Sequence, residues 1–401
     1  NLDIVKAGAK KKHITINLDR LLQLDEERRK VSGEVDELNR EKKAAADARD
    51  IEKGKQIKET LQEKEKELQT LLHEWELLMV QVPNVPDVSV PDGDSDADNK
   101  EMRTWGEKPS FGFTPKSHIE LMERLGMVDF ERGTKIAGFR GYVLKGKGVV
   151  LSFALWNYAQ RFFADKGFTP LIVPSLVKRV NFLGTGYIPQ GEEDLYKTQD
   201  GDYLAGTAEV ATMGYHMNDV VEMKDLPIRY FSFSPCFRRE AGSHGKDTKG
   251  LVRVHEFYKW EQVILCEASH EESVKLHEEL TANAEEFLQS LELPYHVVVN
   301  CGGDLGLGQV KKYDSETWVP SEGKYRETHS SSYFHDFQTR RLNIRYRDSE
   351  GKLRFAHSLN NTFVATPRIL VPLVENNQQE DGSITVPKAL QEYVGSDIIK
   401  G

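Results

Sequence analysis

The sequence predicts an α+β protein, an antiparallel sheet with flanking helices, preceded by an antiparallel two-helix coiled-coil arm. Three observations predict it. Residues 17–81 carry two heptad seams. Residues 82–100 (VPNVPDVSVPDGDSDADNK) hold three prolines and a cluster of Asp, which neither a helix nor a central strand accommodates. Beyond 102, short period-two stretches alternate with amphipathic runs, and most strand candidates neighbour one another in sequence, as hairpins do.

In the arm, Leu21, Leu24, Arg28, Val31, Val35 and Leu38 follow an alternating three-four spacing, as do Ile57, Leu61, Lys64, Leu68, Leu71, Trp75 and Leu78. The break between them falls at 44–54, so the helices fold back on each other. About 30 residues each, at ~1.5 Å per residue, give an arm on the order of 45 Å long. Its end, residues 40–58, carries seven basic residues against four acidic ones. Two readings fit: a solvated coiled-coil surface, or a contact for a phosphate backbone. The domain boundary is placed at 100/101, with arm and linker before it.

In the larger part, 151–166 reads as a helix ended by Gly167, followed by a strand at 168–173 stopped by Pro174. Strands follow at 230–236 and 253–266, a helix at 270–291, and 296–300, 334–346 and 369–374 complete the strand pattern. Neither G-x-x-x-x-G-K-[ST] nor a post-strand G-x-G-x-x-G is present, so a nucleotide would have to be held by side chains on a sheet.

The 401 residues hold 29% charged and 38% hydrophobic residues, with a net charge of −10, which suits a soluble globular protein. No apolar run approaches the ~20 residues that span a bilayer, and no secretory signal is visible. Cys236, Cys266 and Cys301 form no C-x-x-C pair, which argues against a disulfide framework or a zinc site and fits a reducing, cytoplasmic compartment. The chain starts at Asn1 rather than Met, so an organellar matrix stays open beside the cytoplasm.

The most informative run is FRREAGSHGKDTKGLVRVHEFYKWE at 237–261. It reads as two strands joined by a polar loop, with Arg238 and Arg253 able to converge beside Phe257. Guanidinium forks suit phosphate and a ring suits a base. An ordinary charged hairpin is the other reading. Context comes from elsewhere in the chain: TAE at 207–209, YRETHSS at 325–331, DFQTRRLNIRYRD at 336–348, HSLNNT at 357–362, ATPRILVPLVEN at 365–376 and ENNQQEDGSITVP at 375–387. In order and spacing these resemble the three motifs of class II aminoacyl-tRNA synthetases and, more finely, the seryl-tRNA synthetases, over nearly the whole chain including the arm.

The resemblance implies a class II catalytic domain that attaches serine to its tRNA through a seryl-adenylate. It implies catalytic roles for Arg238 and Arg368. Nucleotide contacts would come from Arg238, Glu240, Arg253, Val254, Phe257, Glu327, Ser330 and Arg368, with Glu240 at the adenine amino group and Phe257 stacked on the ring. Glu327 and Ser330 would hold Mg²⁺, a hard cation completed by substrate phosphates. The serine pocket would be Thr207, Glu209, Arg238, Glu261, Asn360 and Thr362, with Glu261 on the substrate ammonium. Hydrogen-bonding the serine hydroxyl would reject alanine strongly. The tRNA would meet Arg40, Lys42, Lys43, Arg49, Lys53 and Lys55 on the arm, and Ser243, His244, Lys246 and Lys249 at its acceptor end. It would be a serine tRNA, with serine-accepting selenocysteine tRNA left open. A twofold homodimer built through the helix before Pro174 is also implied, with no membrane partner. The chain departs from the family pattern at Asn361, where Gly is usual, at 330–337, which lack a Cys often found nearby, and at Pro367, which precedes Arg368. Rival readings are a threonine or proline enzyme of the same class, a non-catalytic RNA-binding paralogue, and a coiled-coil interaction protein.

Overall fold

A computed structural model describes residues 2–242, 245 and 247–401. The chain divides into two compact units, Asn1–Val85 and Pro86–Gly401.

The smaller unit has helices α1 (Leu2–Lys11), α2 (Leu18–Asp47) and α3 (Ile51–Met79). The side chains of Asn17 and Asp50 accept from the backbone N–H of Arg20 and Lys53, capping the orphan donors that open α2 and α3. Between the two helices Arg49 takes φ +57°, which turns the chain in three residues. Leu21, Leu24, Val31, Ile57 and Leu61 are buried along the seam. The two seam positions that are not apolar have partners across it. The Arg28 guanidinium lies 4.4 Å from the Trp75 ring centroid, and Lys64 Nζ lies 2.7 Å from Glu34. Arg40, Lys42, Lys43, Arg49, Lys53 and Lys55 are all exposed around the turn.

In the larger unit, residues 86–99 are packed rather than loose. Val90 is buried, the Asp87 N–H donates to Val310 O, and the Cys301 N–H donates to Asn99 Oδ1. The main sheet has eight strands: β1 (Lys100–Trp105), β2 (Thr169–Ile172), β3 (Ile228–Phe237), β4 (Glu256–Cys266), β5 (Tyr295–Val299), β6 (Lys311–Val319), β7 (Lys324–Tyr333) and β8 (His357–Thr366). Their order is β1-β5-β6-β7-β8-β4-β3-β2, and only the edge pair β2–β3 is parallel. Helices α4 (Lys147–Phe162) and α6 (His270–Ser290) cover one face. There Leu155, Leu276, Leu280 and Phe287 pack with Phe231, Trp260 and Phe363, and the Phe231 and Trp260 rings stack at 4.3 Å.

The opposite face carries polar side chains. Alternation along β4 sends Trp260 and Gln262 to the helices and Phe257, Lys259 and Glu261 the other way. A bulge in β8 at Phe363 re-aims the strand, so that Asn360 and Thr362 join that polar face. Helix α5 (Ala208–Gly214) flanks it, capped by the Thr207 side chain.

Three expectations are corrected. The segment 334–346 is a helix, α7 (Phe337–Leu342), closed by Asn343 at φ +55°, followed by a short strand Arg345–Arg347. The run at 369–374 is helical, α8 (Leu370–Asn376). A short apolar run does not separate a buried strand from a buried helix, and Pro372 sits in the first turn, where its missing N–H costs nothing. Strand β4 starts at Glu256, so Arg253 and Val254 precede it. Strands β6, β7 and β8 carry few apolar residues in a row, because one of their faces lines the site.

Candidate active site

Two adjoining cavities open on the polar face of the sheet, with volumes near 50 and 430 Å³. Arg238, Lys259, Glu327 and Thr362 line both.

The smaller cavity gathers Arg238, Glu240, Arg253, Val254, Phe257, Glu327 and Arg368. Strands β3 and β4 pair Cys236 with Phe257, so Arg238 lies just past the pairing and folds back. Its guanidinium stands 5.3 Å from the Phe257 centroid and donates to Gly206 O through Nε and Nη2, each at 3.3 Å. Glu240 takes φ +57°, and its carboxylate accepts from Arg253 Nη1 at 2.7 Å, with Arg140 Nη1 3.8 Å away. From the loop between β3 and β4, Asp247 reaches Arg326 Nη2 at 2.6 Å and stands 3.7 Å from Arg253 Nε. Arg368, ahead of α8, donates from Nε to Val252 O at 2.9 Å and lies 3.7 Å from Glu327 Oε1. Three guanidinium groups thus converge beside one aromatic ring.

Burial pushes the Glu327 carboxyl up, but the charges of Arg368, Lys312 and Arg238 outweigh it and hold the group below its ordinary value. Ser330 faces Asp314 across β6–β7. The buried Asp314 accepts from Asn300 Nδ2 at 2.7 Å and lies 3.2 Å from Lys312 Nζ, while its Oδ1 has no hydrogen-bond partner among the described residues. An ionised carboxylate beside a hydroxyl suits a divalent cation that takes its remaining oxygens from phosphate. Among the described residues no group of three or more His, Cys, Asp or Glu could hold a metal alone, so Glu327 and Ser330 would need those phosphate oxygens.

The larger cavity gathers Thr207, Glu209, Arg238, Glu261, Ser330, Asn360 and Thr362, which the sequence placed far apart. Glu209 is buried, accepting from Tyr187 OH at 2.9 Å and from Gln338 Nε2 at 2.6 Å. Burial, and then the charge of Glu261, push its carboxyl up to about 7. Tyr187, Gln338 and Lys259 were not foreseen from the sequence. For Lys259 a signal existed, since it is the middle position of the Phe257–Lys259–Glu261 alternation. Tyr187 and Gln338 had none, because only the fold brings them to Glu209.

Lys249 is exposed on the loop between β3 and β4, while Ser243, His244 and Lys246 lie outside the described residues. The basic residues at the turn of the arm belong to the other compact unit.

Comparison with known proteins accounts for both units. The model of the seryl-tRNA synthetase N-terminal domain matches residues 1–86, and that of the class II tRNA synthetase core domain (G, H, P, S and T) matches 196–377. The serine–tRNA ligase of Deinococcus radiodurans is 45% identical over 412 residues, covering 100% of this chain and 97% of its own. A crystal structure of seryl-tRNA synthetase from Pyrococcus horikoshii complexed with ATP superposes with a TM-score of 0.90 at 38% identity, covering 100% of this chain and 97% of its own. The cytoplasmic serine–tRNA ligase of Naegleria fowleri in complex with AMP gives 0.89 at 33%, covering 100% and 96%. Matched along its full length, through the helical arm and the mostly antiparallel sheet, the chain belongs to the seryl-tRNA synthetase family.

Proposed function

We propose that this chain activates serine with ATP to form seryl-adenylate and transfers the seryl group to the terminal ribose of a serine tRNA. The observation that carries the reading is the junction of the two cavities at Arg238. One cavity offers guanidinium groups and an aromatic plane, and the other offers buried hydrogen-bonding groups that suit a polar amino acid.

In the first step the serine carboxylate attacks the α-phosphorus and pyrophosphate leaves. Arg238, half-buried between the cavities, bridges the carboxylate and the α-phosphate, where negative charge builds up. Phe257 stacks on the base, Glu240 accepts from its amino group, and Arg253, Val254 and Arg368 hold the outer part of the nucleotide. Glu327 and Ser330 would hold Mg²⁺, which supplies charge neutralisation along the phosphates. Glu261 takes the substrate ammonium, while Thr207, Glu209, Asn360 and Thr362 surround its side chain. In the second step the tRNA hydroxyl attacks the carbonyl carbon of the mixed anhydride, the acyl–phosphate bond breaks and AMP leaves. No side chain need act as nucleophile, so the rate enhancement comes from alignment and charge stabilisation.

The exposed cations at the turn of the arm (Arg40, Lys42, Lys43, Arg49, Lys53 and Lys55) suit the phosphate backbone of the tRNA body, and Lys246 and Lys249 suit its acceptor end. A homodimer is supported by apolar side chains left in water near the parallel edge of the sheet: Phe153 on α4 is 54% exposed and Ile172 on β2 is 85% exposed. Among the described residues no helix is long and apolar enough to cross a membrane, and we assign the chain to the cytoplasm.

Serine-dependent ATP–pyrophosphate exchange, run in parallel with threonine, alanine and proline, tests the reading. Exchange with serine alone is expected. Exchange with none of them, in folded protein with ATP and Mg²⁺, would overturn it in favour of a non-catalytic paralogue.

A further inference from the structure

Lys259 is 3% exposed and lies inside the amino-acid cavity. Its ammonium has three N–H donors, and three acceptors surround it: Glu261 Oε2 at 2.5 Å, Thr207 Oγ1 at 2.8 Å and Thr362 Oγ1 at 3.3 Å. The two threonine hydroxyls in turn point to Glu261 Oε2, at 3.5 and 3.4 Å, which closes a ring around the lysine nitrogen. These three acceptors are half of the residues assigned above to serine. The only group of an amino acid that asks for three acceptors, one of them a carboxylate, is its own ammonium. A primary ammonium of the protein therefore sits where a primary ammonium of the substrate must go.

A physical reason favours this arrangement. Glu261 is 2% exposed, and a buried carboxylate without a partner is costly enough that it takes up a proton instead. The charged and titratable groups facing it are Lys259 on its own strand, Glu209 at the start of α5, Tyr187, Cys236 on β3, and Arg238. Of these, Lys259 alone makes a direct ion pair with it among the described residues, and Glu209 would add repulsion. With the lysine absent and the site empty, the Glu261 carboxylate would be buried without its cationic partner.

We propose that Lys259 is a placeholder cation: it fills the ammonium subsite while the cavity is empty, keeps the Glu261 carboxylate paired, and yields that position to the ammonium of serine. The exchange is like for like, so the buried carboxylate is paired throughout. Lys259 also lines the nucleotide cavity, so on yielding it withdraws toward Arg238 and the reacting carboxylate and phosphate without leaving the protein. The inference rests on Glu261 as the ammonium acceptor of the proposed activation reaction.

Two measurements test it, and wild-type serine-dependent exchange tests the underlying reading separately. The first is KM for serine against pH in Lys259→Met, which keeps most of the bulk and removes the charge. The wild type sets the baseline at each pH, because Glu209 in the same cavity has its carboxyl pushed up to about 7. Relative to that baseline the variant should lose affinity as pH falls, by up to about tenfold per pH unit, and approach the wild-type KM at the upper end. A KM raised uniformly across pH would show a lysine that merely shapes the pocket and would overturn the proposal. The second needs no variant, and it decides the question if Lys259→Met does not fold. It is a crystal structure of the wild type with a non-hydrolysable seryl-adenylate analogue. The substrate ammonium should lie within hydrogen-bond reach of Glu261 Oε2, with Lys259 Nζ displaced from it. Lys259 unmoved, with the substrate ammonium bound elsewhere, would overturn the proposal.

Discussion

Replacing Glu209 with Gln should stabilise the fold at neutral and alkaline pH while disabling the serine pocket. Burial lifts the Glu209 carboxyl from an ordinary 4.5 to about 7. An acid with a raised folded-state pKa holds its proton more tightly in the native state than in the unfolded chain. Its contribution is therefore complete below about 4.5, falls as pH rises, and is fully lost above about 7. Across that interval the loss amounts to about 3 kcal/mol, at roughly 1.4 kcal/mol per pH unit. The amide of the Glu209→Gln variant would not titrate. Its carbonyl can still accept from Gln338 Nε2, and its NH₂ can donate to the Tyr187 hydroxyl oxygen. Urea unfolding followed by tryptophan fluorescence at several pH values between 5 and 8 reads the effect. The stability of the variant relative to wild type should climb by about 2 to 3 kcal/mol over that range, while pyrophosphate exchange with serine falls sharply. Parallel stability curves would refute the reasoning, since they would mean that Glu209 is ionised at no special cost.

Arg238→Ala should lose at least about 3 kcal/mol of transition-state stabilisation, read as a fall on the order of a hundredfold or more in kcat/KM for exchange; a near-normal rate in folded protein would remove the residue from the mechanism. Replacing residues 44–54 by a minimal turn should leave serine activation intact and sharply reduce tRNA charging, and loss of both would contradict the division between arm and catalytic unit. Asn361→Gly should cost about 1 to 3 kcal/mol of stability in urea unfolding, through a lost buried hydrogen bond and an unfilled strand position, with KM for serine unchanged within about twofold.

Reading the sequence worked best where one period governed a long segment. The heptads of 17–81 specify α2 and α3 almost to their ends, and even the misfits Arg28 and Lys64 sit on the seam, because a ring and a carboxylate across it accept their charge. It worked less well where the sheet is polar on one face. β6, β7 and β8 line the site with Asp314, Glu327, Ser330, Asn360 and Thr362, so their apolar alternation is thin. The run at 369–374 failed for the opposite reason: continuous apolarity fits a buried helix turn as readily as a buried strand. Most candidate site residues came from ordered motifs and do converge in the two cavities. Lys259, Tyr187 and Gln338 belong to no such motif and became visible only through the fold.

Asn361 shows how far a local departure can stand from the chemistry. It lies between two residues of the amino-acid cavity, so on sequence alone it threatens the pocket. Successive strand residues point to opposite faces, and Asn361 points to the helix side. There it is 1% exposed, and its Oδ1 accepts from Gln262 Nε2 at 2.9 Å. Gln262 Oε1 accepts from Asn283 Nδ2 on α6, and Asn283 Oδ1 accepts from Lys166 Nζ. The asparagine therefore begins a chain of buried hydrogen bonds that pins α6 to the back of the sheet. Glycine at this position would leave Gln262 with only Leu280 O for its amide donors. The amide at 361 is thus matched by Gln262 and Asn283 behind the sheet, while Asn360 and Thr362 remain free to face the substrate.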